Sequence, residues 1–185
     1  MNVKMLKAAF AGLVLSVSGV ANAGLITETQ IQTINFQDFT FNFNVNDWVQ
    51  GSGSTLLLEI QGDFTSGTSS ENFELLVEGI NYGTRSRNNS DSFVSYSSNT
   101  ALLTNLFSFN IANTNSFLVN DIFSFNVNFD SGVHVSYGND GTGSSNSPYV
   151  KATYTYNSVA VPEPSTLAIF ALGLMGLASR RFKKQ

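Results

Sequence analysis

The chain has 185 residues, a formal net charge of −4 and no cysteine. That length suits one ordinary domain, and the missing cysteines exclude disulfides and thiolate metal sites. Only 12% of residues are charged and there is one histidine, His134. A basic nucleic-acid-binding face and multi-histidine zinc motifs are therefore excluded.

Residues 1–23 read as a secretory signal peptide. Lys4 and Lys7 give a positive start, and an apolar run follows from Ala8 to Val20. Ala21-Asn22-Ala23 is a small-x-small cleavage pattern that leaves Gly24 as the new N-terminus. The apolar run is shorter than the ~20 residues of a spanning helix, which favours cleavage between Ala23 and Gly24 over anchoring.

Residues 24–160 read as one exported β domain. Its basic residues are Arg85, Arg87 and Lys151, and its net charge is −9. Asn, Ser and Thr make up 53 of its 137 residues. Such polarity would suit a disordered chain, but the phenylalanines alternate. Phe39, Phe41, Phe43 and Val45 recur every second residue, as do Phe123, Phe125, Val127 and Phe129. This is the period of half-buried antiparallel strands. Further strands are expected at Thr55–Gln61, Phe73–Ile80, Phe93–Ser97, Leu103–Ile111, Val133–Tyr137 and Tyr149–Tyr156. Turn signals rich in Gly, Asp and Ser separate them, and no segment has a capped helical period. About eight strands imply an all-β, antiparallel, jelly-roll-like sandwich.

Candidate sites in this domain are few. Asp63 and Glu71 flank one loop, and with backbone carbonyls between them they form a candidate Ca²⁺ site. The competing reading is a turn whose carboxylates face solvent. Glu74 and Glu78 share a strand face about 13 Å apart, too far for a glycosidase pair. No nucleophile elbow accompanies His134. Trp48, Tyr82, Tyr96, Tyr137, Tyr149, Tyr154 and Tyr156 are candidate sugar-stacking rings; Trp48 equally suits a core plug, and Tyr154 with Tyr156 a core ladder. No catalytic residue is assigned, and no cofactor beyond the candidate calcium.

Residues 161–185 form a separate tail. Pro162-Glu163-Pro164 breaks regular structure, and an apolar stretch runs from Leu167 to Ala178. Arg180, Arg181, Lys183 and Lys184 follow, a cluster expected to stay cytoplasmic. As a helix the apolar stretch spans about 18 Å against a bilayer core of about 30 Å. It would serve poorly as a permanent anchor and better as a transient one. The order of tripeptide, short hydrophobic helix and basic end resembles the PEP-CTERM sorting signal of Gram-negative bacteria. The resemblance implies processing by exosortase, a membrane-embedded protease-transpeptidase. It also implies export across the inner membrane, transient anchoring there, and a final place at the cell surface or outside the cell.

The expected function is that of a non-enzymatic surface or extracellular-matrix protein associated with exopolysaccharide. A carbohydrate- or calcium-binding module is the alternative, and a secreted glycoside hydrolase or lyase a third reading.

Overall fold

The computed structural model describes residues 23–65, 71–135, 138–139 and 145–159. Ala23–Ser158 form one compact unit. Val159, the last described residue, falls outside that unit.

Among the described residues, eleven strands and one helix follow in chain order. They are β1 (Ala23–Ile31), β2 (Phe39–Asn44), β3 (Ser54–Gly62), β4 (Phe73–Val77), β5 (Ile80–Arg85), β6 (Ser92–Ser97) and β7 (Thr100–Phe109), then α1 (Ile111–Phe117). After the helix come β8 (Ile122–Phe129), the two-residue pair β9 (Gly138–Asn139) and β10 (Ser145–Asn146), and β11 (Tyr149–Asn157). One sheet has the order β1-β11-β3-β7-β6 and the other β2-β8-β4-β5. Every pairing is antiparallel.

The pairings are nested. β4 joins β5, β3 joins β7, β2 joins β8 and β1 joins β11. A long antiparallel ribbon folded over itself in this way is a jelly roll, with β6 added at one edge. The fold expected from the alternating phenylalanines is the fold found.

The core lies between the sheets. Phe39, Phe41 and Phe43 of β2 and Phe123 and Phe125 of β8 are buried, and so are Leu56, Leu58 and Ile60 of β3. Phe41 and Phe125 stack with ring centroids 4.9 Å apart. Ring faces and edges fill this space, so burial at about 1.5–3 kcal/mol per side chain holds the domain without disulfides.

Four details differ from the sequence reading. The segment Phe73–Ile80 is not one strand. Glu78 and Gly79 have φ of 49° and 76°, the positive values a two-residue hairpin turn needs, so the chain reverses into β5. The segment Leu103–Ile111 stops as a strand at Phe109. Asn110 then caps α1, its side chain accepting a bond from the Asn113 amide at 2.9 Å. Val133–Val135 are not strand. Val133 instead plugs the core, while its carbonyl accepts the Phe36 amide at 3.0 Å; Ser136 and Tyr137 lie outside the described residues. Finally, Ala23 and Gly24 already belong to β1, so the expected cleavage point falls in a strand. Gly24 is required there: a Cβ on it would fall 2.3 Å from the Tyr156 ring.

Candidate functional site

The outer face of the β2-β8-β4-β5 sheet carries Thr40, Asn42 and Asn44 beside Ser124, Asn126 and Asn128. Each alternates with a buried phenylalanine or valine, so the pattern that builds the core also builds this face. Ser124 Oγ donates to Asn42 Oδ1 at 2.7 Å. Toward the end of the sheet nearer Phe129, the face sinks into a cleft of about 270 Å³. Asn72, Glu74, Thr84, Asn128 and Asp130 supply its polar groups.

Local bonds tie the cleft's residues to one another and to its flank. Asn72 Nδ2 donates to Asp130 Oδ2 at 3.3 Å, and the Asp130 amide donates to the Asn72 carbonyl at 3.0 Å. Asn81 Nδ2 donates to Glu74 Oε1. Glu74 and Asp130 make the cleft acidic, and no basic residue lines it. An amide offers two donors and two acceptor lone pairs, as a row of sugar hydroxyls does in reverse. Glu78, expected on the same strand as Glu74, sits instead in the turn, where its Oε1 accepts the Ser124 amide at 3.0 Å.

Asp63 lies beside His134, and the charge of Glu71 is felt at its carboxyl. His134 Nδ1 lies 3.9 Å from Asp63 Oδ2 and 2.9 Å from the Gly132 carbonyl, and its ring meets Phe36 edge-on at 5.0 Å. Partial burial raises the Asp63 carboxyl above its ordinary value, Glu71 raises it further, and His134 pulls it back down. Glu71 is only 9% exposed. Gln32 is buried nearby; its Oε1 faces Gly62 without a partner among the described residues. The carboxylate pair supplies a fraction of the six to eight oxygens calcium takes. Among the described residues no three His, Cys, Asp or Glu side chains come together to hold a metal ion. Residues 66–70, whose carbonyls were part of the expected site, lie outside the described residues.

The aromatic candidates divide. Tyr154 and Tyr156 are core residues. Tyr82 packs edge-on against Phe109 and Phe117 at 5.2 and 5.9 Å. Trp48 is half-buried; its Nε1 donates to Asp121 Oδ1 at 3.3 Å. None of these four lines the amide cleft, and Tyr137 is outside the described residues. The sequence reading missed the cleft because its members come from positions 72–84 and 128–130. Only the β4–β8 register, Phe73 with Phe129 and Glu74 with Asn128, brings them together.

Pro162, Glu163, Pro164, Arg180, Arg181, Lys183 and Lys184 lie outside the described residues. Among the described residues no helix is long and apolar enough to cross a membrane.

The architecture is thus an all-β jelly-roll sandwich with an amide-rich outer face. Residues 160–184 match the family model of the PEP-CTERM protein-sorting motif, as the order of tripeptide, apolar stretch and basic cluster implied. The motif marks an exported protein that is sorted by exosortase, a membrane enzyme, with transient membrane anchoring before release to the surface or exterior. The chain matches no curated protein. Among solved structures, the crystal structure of dimeric latent PorU from Porphyromonas gingivalis aligns at a TM-score of 0.39 and 11% identity. That alignment covers 75% of this chain and 14% of the PorU chain.

Proposed function

We propose that this chain is a non-enzymatic surface or extracellular-matrix protein whose jelly roll associates with neutral extracellular polysaccharide through its amide face. The observation that carries this reading is the cleft of Asn72, Glu74, Thr84, Asn128 and Asp130, continuous with the Asn42–Ser124 row. Neutral side chains dominate the face and match hydroxyl groups as both donor and acceptor. Its two carboxylates would repel a uronate or sulfate polymer, which points to an uncharged glycan. The sorting tail supports the setting, since it routes the domain to where such polymers are.

Affinity electrophoresis tests the reading. The mature chain is run through gels containing dextran or alginate. Retardation by dextran but not alginate, lost in Glu74→Ala/Asn128→Ala, is the expected result. Equal mobility in every gel overturns it. Release of reducing ends from the polymer would overturn the non-enzymatic half and return the hydrolase reading.

A further inference from the structure

The chain enters and leaves the sandwich at one end. Ala23 pairs with Asn157, and Ser158 bridges to Trp48. The loop 46–53, α1 and the turn 118–121 build this end. The Val49 amide donates to the Asn157 carbonyl at 2.7 Å. The Gly51 amide reaches Asn115 Oδ1 at 3.1 Å, which ties the loop to α1. The Val45 amide donates to the Asp121 carbonyl at 2.8 Å, which ties the turn to the end of β2.

Four aliphatic side chains stand exposed around Trp48 on these segments. They are Val49, Ile111, Val119 and Ile122, with Val119 83% exposed. Of the other exposed hydrophobics of the unit, Leu25, Ile31, Val94 and Leu106 lie over the outer face of the other sheet and Ile34 and Phe36 at the opposite end, while Ile80 lies at this same end, beside the β4–β5 turn that bonds to Ser124. No Lys or Arg occurs in 44–53 or 110–122. The two acidic groups here are already bonded, Asp121 to Trp48 and Asp47 to the Tyr156 hydroxyl at 2.7 Å.

The length of chain beyond this end says what covers the patch. Eight steps separate Val159 from Leu167, where the apolar stretch starts. At 3.3–3.6 Å per residue the tether reaches about 26–29 Å at most. Counted the same way, the eight steps of β11 span about 26 Å of the sandwich, so only a nearly fully extended tether doubled back along it brings the far end to the membrane. With the apolar stretch in the bilayer, only the Trp48 end can rest on the membrane without reversing the tether. Short tethers make such a contact intramolecular in effect, so weak apolar attraction suffices.

We infer that the Trp48 end, with Val49, Ile111, Val119 and Ile122, lies in the lipid headgroup region of the membrane while the tail is uncut. The inference rests on the anchoring implied by the tail. Trp favours this depth because its ring is apolar and its N–H polar. With no basic residue at the patch, the contact is apolar and does not need anionic lipid.

Trp48 is the only tryptophan, so its emission reports this end directly. The full mature chain is reconstituted into phosphatidylcholine vesicles, with bromine placed either high or deep on the acyl chains. Flotation reports anchoring and quenching reports the patch. The expected result is loss of about half or more of the emission with shallow bromine and little with deep bromine, as befits burial of about 5–10 Å. Val49→Asp/Val119→Asp should restore emission without preventing flotation. A chain that floats but stays unquenched overturns the inference alone. A chain that does not float overturns the anchoring reading and the inference with it.

Discussion

Tyr154 of β11 lies face to face with Phe123 of β8, ring centroids 4.0 Å apart and planes 9° from parallel. The contact joins the two sheets at the middle of the core. Burial pushes the Tyr154 hydroxyl up to about 12, with Ser54 pulling weakly the other way. Among the described residues the hydroxyl has no partner in hydrogen-bond geometry. Tyr156, by contrast, donates to Asp47. Removing an unsatisfied hydroxyl is near neutral, while removing a bonded one costs about 1 kcal/mol. Tyr154→Phe should therefore keep or raise the urea midpoint, and Tyr156→Phe should lower it. Phe123→Ala, which empties the stack, should cost about 3–5 kcal/mol.

The half-buried Asp63 carboxyl at the opposite end gives a pH signature. Burial and then Glu71 raise Asp63 above its ordinary 3.8 in the folded state. The native chain holds that proton more tightly than the unfolded chain does. Stability is thus lost as pH rises from 3.8 through the raised value, and the penalty persists at neutral pH. Asp63→Asn should raise the melting temperature at pH 7, by less than about 1 kcal/mol given the exposure. The advantage should shrink below pH 3.8. A variant that is less stable at pH 7 would show that the charged carboxylate is needed.

α1 has seven residues and depends on its cap. Asn110→Ala should cost about 0.5–2 kcal/mol in a denaturant titration. Asn110→Gly should cost only a few tenths, because glycine tolerates the capping position.

Processing predicts two mass losses. Protein recovered from culture medium should lack residues 1–23 and the segment after Pro164. Intact mass spectrometry reads both ends at once. A C-terminus retained through Gln185 in released protein would contradict the sorting route.

The legible strands were those with one face in the core and one in water. β2 and β8 alternate phenylalanine with Asn, Ser or Thr, so period and face coincide. β1 was not legible: even its inward residues, such as Ile26, are only half-buried. It is an edge strand with little burial to mark its period, and it overlaps the cleavage pattern. β5 has the same weakness, and its turn uses Glu78-Gly79 in place of the commoner Asn-Gly or Asp-Gly. At the candidate sites, Asp63 and Glu71 stood out because both are acidic and eight positions apart across one Gly/Ser/Thr-rich segment. The amide cleft was not, because a sheet register assembles it from residues more than forty positions apart.

β1 has a hydrogen-bonded neighbour on one side only, and that neighbour is β11. A polypeptide threaded outward from its N-terminus releases β1 first and β11 last. The first strand to emerge must wait for the last, with more than a hundred residues of chain to be closed between them, the slowest kind of pairing. While it waits, Thr27, Glu28, Thr29 and Gln30 keep it from being a purely hydrophobic edge. β11 is the keystone, seated between β1 and β3 immediately ahead of the sorting tail. Closure of the sandwich in a chain threaded outward is therefore a late event: the domain becomes whole only when β11, just ahead of residues 160–184, has emerged.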